Sequence, residues 1–215
     1  MKIPAKIISV VFHPLFFTTY AVLLMFALPG FLSLYPYNYK KAITLIVFTA
    51  TFILPLLVLL ILLNLQKIQN LQFADKKERL LPLFTTFILY ISAYLITTNF
   101  PGGIPAYISI FILCSAISIL LITIITYKFK ISIHMAGIGG FIGFFYIFFL
   151  EQNMPSLLFT VGNFQIYKVH FFAIMILISG ITASSRLKLN AHNHLQITTG
   201  FFLGLFTGLL SLVFY

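Results

Sequence analysis

The stretch SRLKLNAHNHLQ, residues Ser185–Gln196, separates two long apolar runs of the chain. It brings an arginine, a lysine and two histidines close together in a protein of which only 7% of the residues are charged. Each flanking run is mainly apolar over about twenty residues, the length that an α-helix needs to cross a bilayer. The stretch therefore indicates a polar connection between two membrane-spanning helices, and the rest of the chain repeats this pattern.

The composition predicts the fold class. The 215 residues are 61% hydrophobic and have a mean hydropathy of +1.10, which is more apolar surface than a soluble domain is able to bury. The apolar runs are continuous and do not alternate with polar residues, which favours helices over a membrane barrel. We therefore predict an all-α fold, a polytopic transmembrane helix bundle of about seven spans that forms one integral membrane domain over residues 1–215.

Prolines, glycines and charged residues bound the expected spans. We place the spans at residues 7–34, 42–65, 82–100, 106–127, 135–150, 168–184 and 195–215. His13-Pro14 interrupts the first turns of span one, and Pro55 is expected to kink span two. Pro82 is expected to begin span three, because proline is favoured in the first turn of a helix. The loop Glu151–Tyr167 is expected to dip into the membrane interface.

Lysine and arginine are distributed unevenly between the two ends of this bundle. With seven spans, the N-terminus and the loops after spans two, four and six share one side, which carries ten of the 13 Lys and Arg residues. The opposite side carries Lys40, Lys41 and Lys168. The positive-inside rule then places the basic side in the cytoplasm, and we expect an integral protein of a prokaryotic inner membrane. The basic N-terminus precedes an apolar run too long for a removed signal peptide, so it is assigned to the first span.

The charged residues also limit the class of function. Asp75, Glu78 and Glu151 are the only carboxylates, whereas a site for magnesium and a diphosphate needs several. A metal-dependent prenyl transferase and a carboxylate relay for ion pumping are therefore not expected. Cys114 stands alone inside a span, so no disulfide or thiolate metal site is expected. The net charge of +10 is carried by helix ends in a membrane, which favours anionic lipids or a phosphorylated substrate over nucleic acid as partners.

Three loops on the basic side carry clusters of lysine, arginine and histidine, and these clusters predict one composite site. Cations neutralise phosphate oxygens, and arginine does so with a planar fork of donors. One histidine is able to attack phosphorus while another protonates the leaving oxygen. Such a site supplies charge and positioning without a metal ion.

The motifs in these loops resemble the signatures of a known family. Ser185-Arg186, followed after five residues by His192, resembles the third signature of the type-two phosphatidic acid phosphatase superfamily. Ile131–His134 (ISIH) resembles the second signature, Pro-Ser-Gly-His, and Lys76–Pro82 (KKERLLP) echoes the first, which ends in Arg-Pro. The resemblance covers residues 66–215 and implies a six-helix phosphatase-like core.

The resemblance implies a role for each matching residue. His192 is implied as the nucleophile that forms a phosphohistidine, and His134 as the general acid for the leaving alcohol. The phosphate ligands implied by the same match are Arg186, Ser132, Arg79, Lys76 and Lys77. The family acts on lipid phosphates or prenyl diphosphates and requires no metal, so no cofactor is expected.

The sequence departs from the family at the residue that should orient the nucleophile. Gln196 stands at the position of the signature's Asp, and Ile131 and Ile133 replace Pro and Gly. The glutamine oxygen accepts the same hydrogen bond from His192 but brings no charge. In a serine-protease triad, the corresponding amide replacement lowers the rate about 10⁴-fold. Two functions remain open: a phosphatase in which Gln196 is the third catalytic residue, and an inactive relative that binds or moves anionic lipids.

The remaining polar residues have simpler interpretations. Three lysines are interpreted as interface anchors, namely Lys128, Lys130 and Lys188. His13 is interpreted as part of a kinked helix start, and the alternative is a polar group that lines the site. His194 is interpreted as a solvated neighbour of the motif, and His170 as a residue of the opposite side. A small-molecule transporter has little support, because no span carries a central charge; the sequence leaves the oligomeric state and the identity of the lipid open.

Overall fold

The computed structural model describes residues 3–69 and 76–215, which are mainly helical. Seven helical segments in this part of the chain are long and apolar enough to cross a membrane. They are Ile3–Ala27, Tyr37–Asn64, Glu78–Thr98, Ala106–Thr126, Ile133–Glu151, Lys168–Lys188 and His194–Val213. Their outer faces expose large apolar side chains such as Ile96, Ile124 and Phe206, a surface that suits hydrocarbon. The predicted all-α bundle of about seven spans is confirmed, and the chain is an integral membrane protein.

A proline divides the first span into two helices. Helix α1 covers Ile3–Val11, a 3-10 turn covers Pro14–Phe16, and helix α2 covers Phe17–Ala27. Pro14 has no N–H for a helical hydrogen bond. The ring of His13 instead accepts a hydrogen bond from Leu15 N, at 3.4 Å, and so caps the new turn. The predicted interruption is confirmed, although the helix has already begun at Ile3 and not at residue 7.

The second span contains a π-helical turn beside Pro55. Helix α3 covers Tyr37–Phe48, the π turn covers Thr49–Ile53, and helix α4 covers Leu54–Asn64. Since Pro55 has no N–H to offer the Thr51 carbonyl, that oxygen accepts from the Tyr90 hydroxyl instead, at 3.3 Å. The Thr18 hydroxyl bonds the same Tyr90 hydroxyl at 3.2 Å. These bonds join three spans in the middle of the bundle.

The helix of the third span begins before the apolar run, so its basic N-terminal end is longer than the sequence predicted. Helix α5 covers Lys76–Thr98 and contains Pro82, so the prediction that Pro82 begins the helix is wrong. Pro82 lies in the second turn of the helix. Its missing N–H removes only the hydrogen bond to the Glu78 carbonyl, close to the N-terminal end of the helix. The helical turn that precedes Pro82 contains Arg79. Helix α6, Ala106–Thr126, agrees with the prediction to within one residue.

Helix α7, Ile133–Glu151, is the most buried span and packs directly against helix α9, His194–Leu209. Glycines let the two backbones touch. A Cβ added at Gly139 would collide with the α9 backbone, and one added at Gly204 or Gly208 would collide with the α7 backbone. Small residues allow this close packing in membranes. Gly200, Gly204 and Gly208, which recur every fourth residue in the last span, therefore form a packing face.

The segment between α7 and helix α8 forms an antiparallel hairpin. Its strands are β1, Leu157–Val161, and β2, Phe164–Tyr167. The loop that was expected to dip into the interface thus has regular structure, and Phe164 at its turn is 76% exposed. Helix α8 covers Lys168–Lys188 and passes the predicted end at residue 184. Arg186 and Lys188 suit the negative C-terminal end of that helix.

Candidate functional site

A cavity of about 730 Å³ lies between the helices, with its polar end where the basic loops meet. The polar lining comes from several separate segments: Lys6 and Ser9 of α1, Arg79 of α5, Lys130, His134 of α7, Arg186 of α8 and His192. Exposed lining residues, Lys6 and Asn190, bring this end to the protein surface. The structure therefore brings Arg79, Arg186, His134 and His192 together in one site, and it adds the first helix to them.

His192 and Gln196 form a hydrogen-bonded pair at the start of α9. His192 Nδ1 lies 2.9 Å from Gln196 Oε1. Because an amide oxygen only accepts, Nδ1 carries the proton and Nε2 of the neutral ring keeps a lone pair. Asn193 caps the helix by accepting from Gln196 N at 2.9 Å, and Gln196 O accepts from Ser132 N at 3.1 Å. The start of α9 thus fixes the orientation of the imidazole.

The imidazole of His192 is held in its neutral form. Burial lowers the pKa of His192 from 6.5 to about 3. The hydrogen bond to Gln196 opposes this shift, and the charges of Arg79, Arg186 and Lys130 add to it. No hydrogen bond within residues 3–69 and 76–215 engages Nε2. A neutral imidazole with a free Nε2 is the form that attacks an electrophile.

Two arginines line the site, and each has an N–H donor that no described residue engages. Arg79 is 4% exposed and donates from Nη1 to Ile131 O at 3.1 Å. Arg186 donates from Nη1 to Ser9 Oγ at 3.3 Å. Among the described residues, neither buried Nε has a hydrogen-bond partner and no carboxylate forms an ion pair with either guanidinium. A buried cation without a counter-charge is unfavourable, and a bound anion would supply the missing partner.

Lys130 belongs to the same group of cations. The sequence predicted an interface anchor, but this half-buried lysine lines the cavity. Burial lowers the pKa of Lys130, and the charges of Arg79 and Arg186 lower it further. The same electrostatic repulsion would favour a bound anion. Lys188, in contrast, is exposed.

The first helix supplies contacts that the sequence did not predict. Ser9 O accepts from His134 Nε2 at 3.0 Å, and Ser9 Oγ accepts from Arg186. A carbonyl oxygen only accepts, so the proton of His134 lies on Nε2. The ring of His13 lies edge-on to that of His134, with centroids 5.3 Å apart. Since Leu15 N donates to His13 Nδ1, neutral His13 carries its proton on Nε2. The structure thus favours the alternative in which His13 lines the site.

A sequence signal for this contribution exists. Lys6, Ser9 and His13 recur at intervals of three and four residues, which is the spacing of one helix face. In an otherwise apolar first span, such a polar stripe indicates a face turned toward other polar groups. The identity of those groups could not be found this way, because Ser9 and Arg186 are 177 residues apart in the chain.

One predicted phosphate ligand, Ser132, is not among the described residues that line the cavity. Ser132 is fully buried, its Oγ has no partner among the described residues, and it is not one of those that line the cavity. The reason is its backbone bond to Gln196, which packs Ser132 against the start of α9. In this position Ser132 supports the start of α9, and its assignment as a phosphate ligand stays a prediction. Lys76 and Lys77 begin α5, but their side chains lie outside the described structure, as does Asp75.

Comparisons of the chain with models of protein families, with curated proteins and with solved structures found no match. Within the geometry of the site, the most specific features are an oriented neutral imidazole and two arginines that form no ion pair with any described carboxylate, all beside one cavity.

Proposed function

We propose that the chain is a membrane phosphatase that hydrolyses a lipid phosphate or a prenyl diphosphate through a phosphohistidine on His192. The observation that carries the proposal is the convergence of neutral His192 with Arg79 and Arg186 beside one cavity. Phosphoryl transfer needs mainly positioning and neutralisation of charge, and these groups supply both. The resemblance to the type-two phosphatidic acid phosphatases supports the same assignment.

In the proposed reaction, the lone pair on His192 Nε2 attacks phosphorus, and the bond that breaks joins phosphorus to the ester oxygen of a lipid phosphate or to the bridging oxygen of a prenyl diphosphate. The free donors of Arg79 and Arg186 neutralise the phosphoryl oxygens. The leaving oxygen takes a proton from the protonated form of an imidazole that lines the cavity, which is His134 by resemblance or the adjacent His13. Water then attacks phosphorus, gives one proton to the imidazole that acted as the acid, and breaks the phosphorus–nitrogen bond, which releases inorganic phosphate and restores both histidines. Gln196 holds Nδ1–H throughout both steps.

One observation favours a second function, the binding or movement of anionic lipids. Gln196 brings no negative charge to the ring that would become positive in the phosphohistidine. A carboxylate in this position would stabilise that charge, and an amide oxygen does so only through its dipole. The same arginines would then hold a lipid headgroup without turnover.

Phosphate release by the purified protein from a panel of lipid phosphates and prenyl diphosphates, without added metal, tests the proposal. His192→Ala should abolish release, whereas His194→Ala, which changes the exposed neighbour, should leave it near the parent rate. Equal release by the parent and His192→Ala would remove the nucleophile. Saturable binding of these lipids without release by either protein would favour the second function.

A further inference from the structure

The cavity extends well below the polar groups at its mouth. On α5 its lining runs from Arg79 to Tyr90, and on α6 it runs from Ile122 back to Phe111. Each interval rises about 16 Å at 1.5 Å per helical residue, so two neighbouring helices give the same depth. That depth is roughly half of the hydrocarbon thickness of a bilayer. The lower part of the cavity, here called the chamber, therefore reaches from the basic end of the bundle to about the membrane midplane.

Side chains that are small or apolar create the space in the chamber. They include Cys114, Ser115, Ser118 and Ile119 of α6 and Ala136, Gly137 and Gly140 of α7. The threonine hydroxyls in the wall are already bonded inside the protein. Thr86 Oγ1 donates to Pro82 O at 2.7 Å, and Thr207 Oγ1 donates to Gly204 O at 2.8 Å. A wall whose threonines need no polar partner suits a hydrocarbon ligand.

Aromatic rings close the inner end of the chamber. The ring of Phe141 lies 5.7 Å from that of Phe17 and 6.3 Å from that of Phe111. Tyr90 completes this floor and is fixed by its hydrogen bond to Thr18. All of these side chains are buried. The floor is thus made of closely packed side chains, which move little when a ligand presses against them. This floor therefore limits the depth of the chamber.

We infer that the chamber holds the hydrocarbon tail of a single-chain phosphorylated amphiphile, and that the floor of Phe17, Phe111 and Phe141 limits the tail length. The inference rests on the proposed function, because the phosphate at the mouth is taken as the head of the same molecule. Cavities of about 730 Å³ enclose drug-sized ligands. Head and tail share this volume, and among the described residues it has one inner end, which the aromatic floor closes. The chamber therefore selects one tail of limited length.

Photolabelling locates the tail directly. The probe is dodecyl phosphate with a diazirine at its far end, photolysed with the full-length protein in nanodiscs of zwitterionic lipid and mapped by mass spectrometry. We expect label near Phe111 and Cys114 on the inner face of α6, and we expect an excess of unlabelled dodecyl phosphate to suppress it. Label on the lipid-facing Leu121 and Ile124 of the same helix, unaffected by the competitor, would overturn the inference.

Two variants of α6 distinguish the effect of filling the chamber from a general loss of stability. Ser115→Phe places a ring in the chamber, and Ile117→Phe is its control, since Ile117 is not among the described residues that line the cavity. Ser115→Phe should weaken dodecyl phosphate binding about tenfold, the effect of roughly two buried methylene groups, and Ile117→Phe should not. Phe111→Ala should deepen the chamber and improve hexadecyl phosphate binding relative to the parent.

The outcomes distinguish the inference from the proposed function. If Ser115→Phe and Ile117→Phe bind dodecyl phosphate alike while His192→Ala abolishes phosphate release, the chamber inference fails and the phosphatase stands. If Arg79→Gln leaves the binding of dodecyl phosphate unchanged, and neither the parent nor any variant releases phosphate, the arginines do not bind the phosphate head. The inference then fails together with the proposed function. Loss of tail binding in Ser115→Phe alone, with release of phosphate by the parent, supports both.

Discussion

The chemistry proposed for His192 depends on two opposing demands on one side chain. Attack on phosphorus needs a neutral imidazole, and burial with the nearby charges of Arg79 and Arg186 holds it neutral. The phosphohistidine that follows is positively charged and is better stabilised by a carboxylate than by the amide of Gln196. Glutamine therefore favours the nucleophile before attack, and aspartate would favour the intermediate after it. This balance sets the expected effects of changes at residue 196.

Gln196→Asp is expected to retain or raise phosphate release. A hydrogen bond to a charged acceptor is worth about 1 kcal/mol more than one to a neutral acceptor, which corresponds to roughly fivefold in rate. Gln165→Asp, which adds the same charge in the exposed hairpin, is the control and should change nothing. A loss of more than tenfold in Gln196→Asp, with normal binding of lipid phosphate, would contradict the role given to this residue.

The neutral state of His192 is directly measurable. Its pKa is lowered to about 3 by burial and nearby cations, so the ring is neutral at every pH above about 4 and gains a proton only as the pH falls further. Nitrogen-15 NMR of histidine-labelled protein, assigned with His192→Ala, should show no titration of this ring between pH 8 and pH 5. Gln196→Asp should raise the pKa, because a carboxylate favours the imidazolium. A midpoint near 6.5 in the parent would contradict the burial of this group.

The proton donor is distinguished by its dependence on the leaving group. His134 Nε2 is engaged by Ser9 O, whereas no hydrogen bond in the described part of the chain engages His13 Nε2. His13→Gln should therefore slow the release of a poor alkoxide leaving group about 10²-fold and an acidic phenol far less. His134→Gln, measured with both substrates, is the comparison. An equal loss with both leaving groups in His13→Gln would assign His13 a structural role and return the acid to His134.

At the scale of the helices, the sequence predicts the spans better than their ends. An apolar run reports where hydrocarbon begins, whereas a helix continues as long as its backbone hydrogen bonds are made. Helix α5 therefore starts at Lys76, before Pro82, and α8 continues through Arg186 to Lys188. These polar extensions carry two of the cations of the site. The pairing of His192 with Gln196 was predictable because it is local, and the contacts of Ser9 were not, because they join distant segments.

The contact between α7 and α9 is the element on which the site geometry most depends, and glycine substitutions test it. A Cβ at Gly204 would collide with the Ala136 backbone, whereas a Cβ at Gly180 of α8 meets nothing within 4 Å. Gly204→Ala should lower the free energy of unfolding by about 1–3 kcal/mol, and Gly180→Ala should not lower it. Thermal unfolding in detergent measures both. Equal unfolding temperatures for the two variants would contradict the close packing of these helices.

At the scale of the whole molecule, the site lies at the end of the bundle where the basic residues gather, so orientation decides which compartment would receive the phosphate of the proposed reaction. The cations that line the cavity belong to the site and are poor topology signals. Of the basic-side residues that the structure describes, Lys6, Arg79, Lys130 and Arg186 line the cavity; without these four, the sequence has six Lys and Arg residues on this side against three on the opposite side. The asymmetry persists without them, so the prediction from the positive-inside rule that the site faces the cytoplasm is unchanged.

Single cysteines on either side of α8 test this orientation in intact cells. Asn163→Cys lies in the exposed hairpin, and Asn190→Cys lies in the exposed loop beyond the other end of α8; each is placed in a Cys114→Ala background. An impermeant maleimide added outside should label position 163 at once and position 190 only after the membrane is opened. The reverse pattern would place the site outside the cytoplasm and would make its phosphate an external product. Labelling of both positions from outside would mean that α8 does not cross the membrane, which would remove the common end on which the composite site depends.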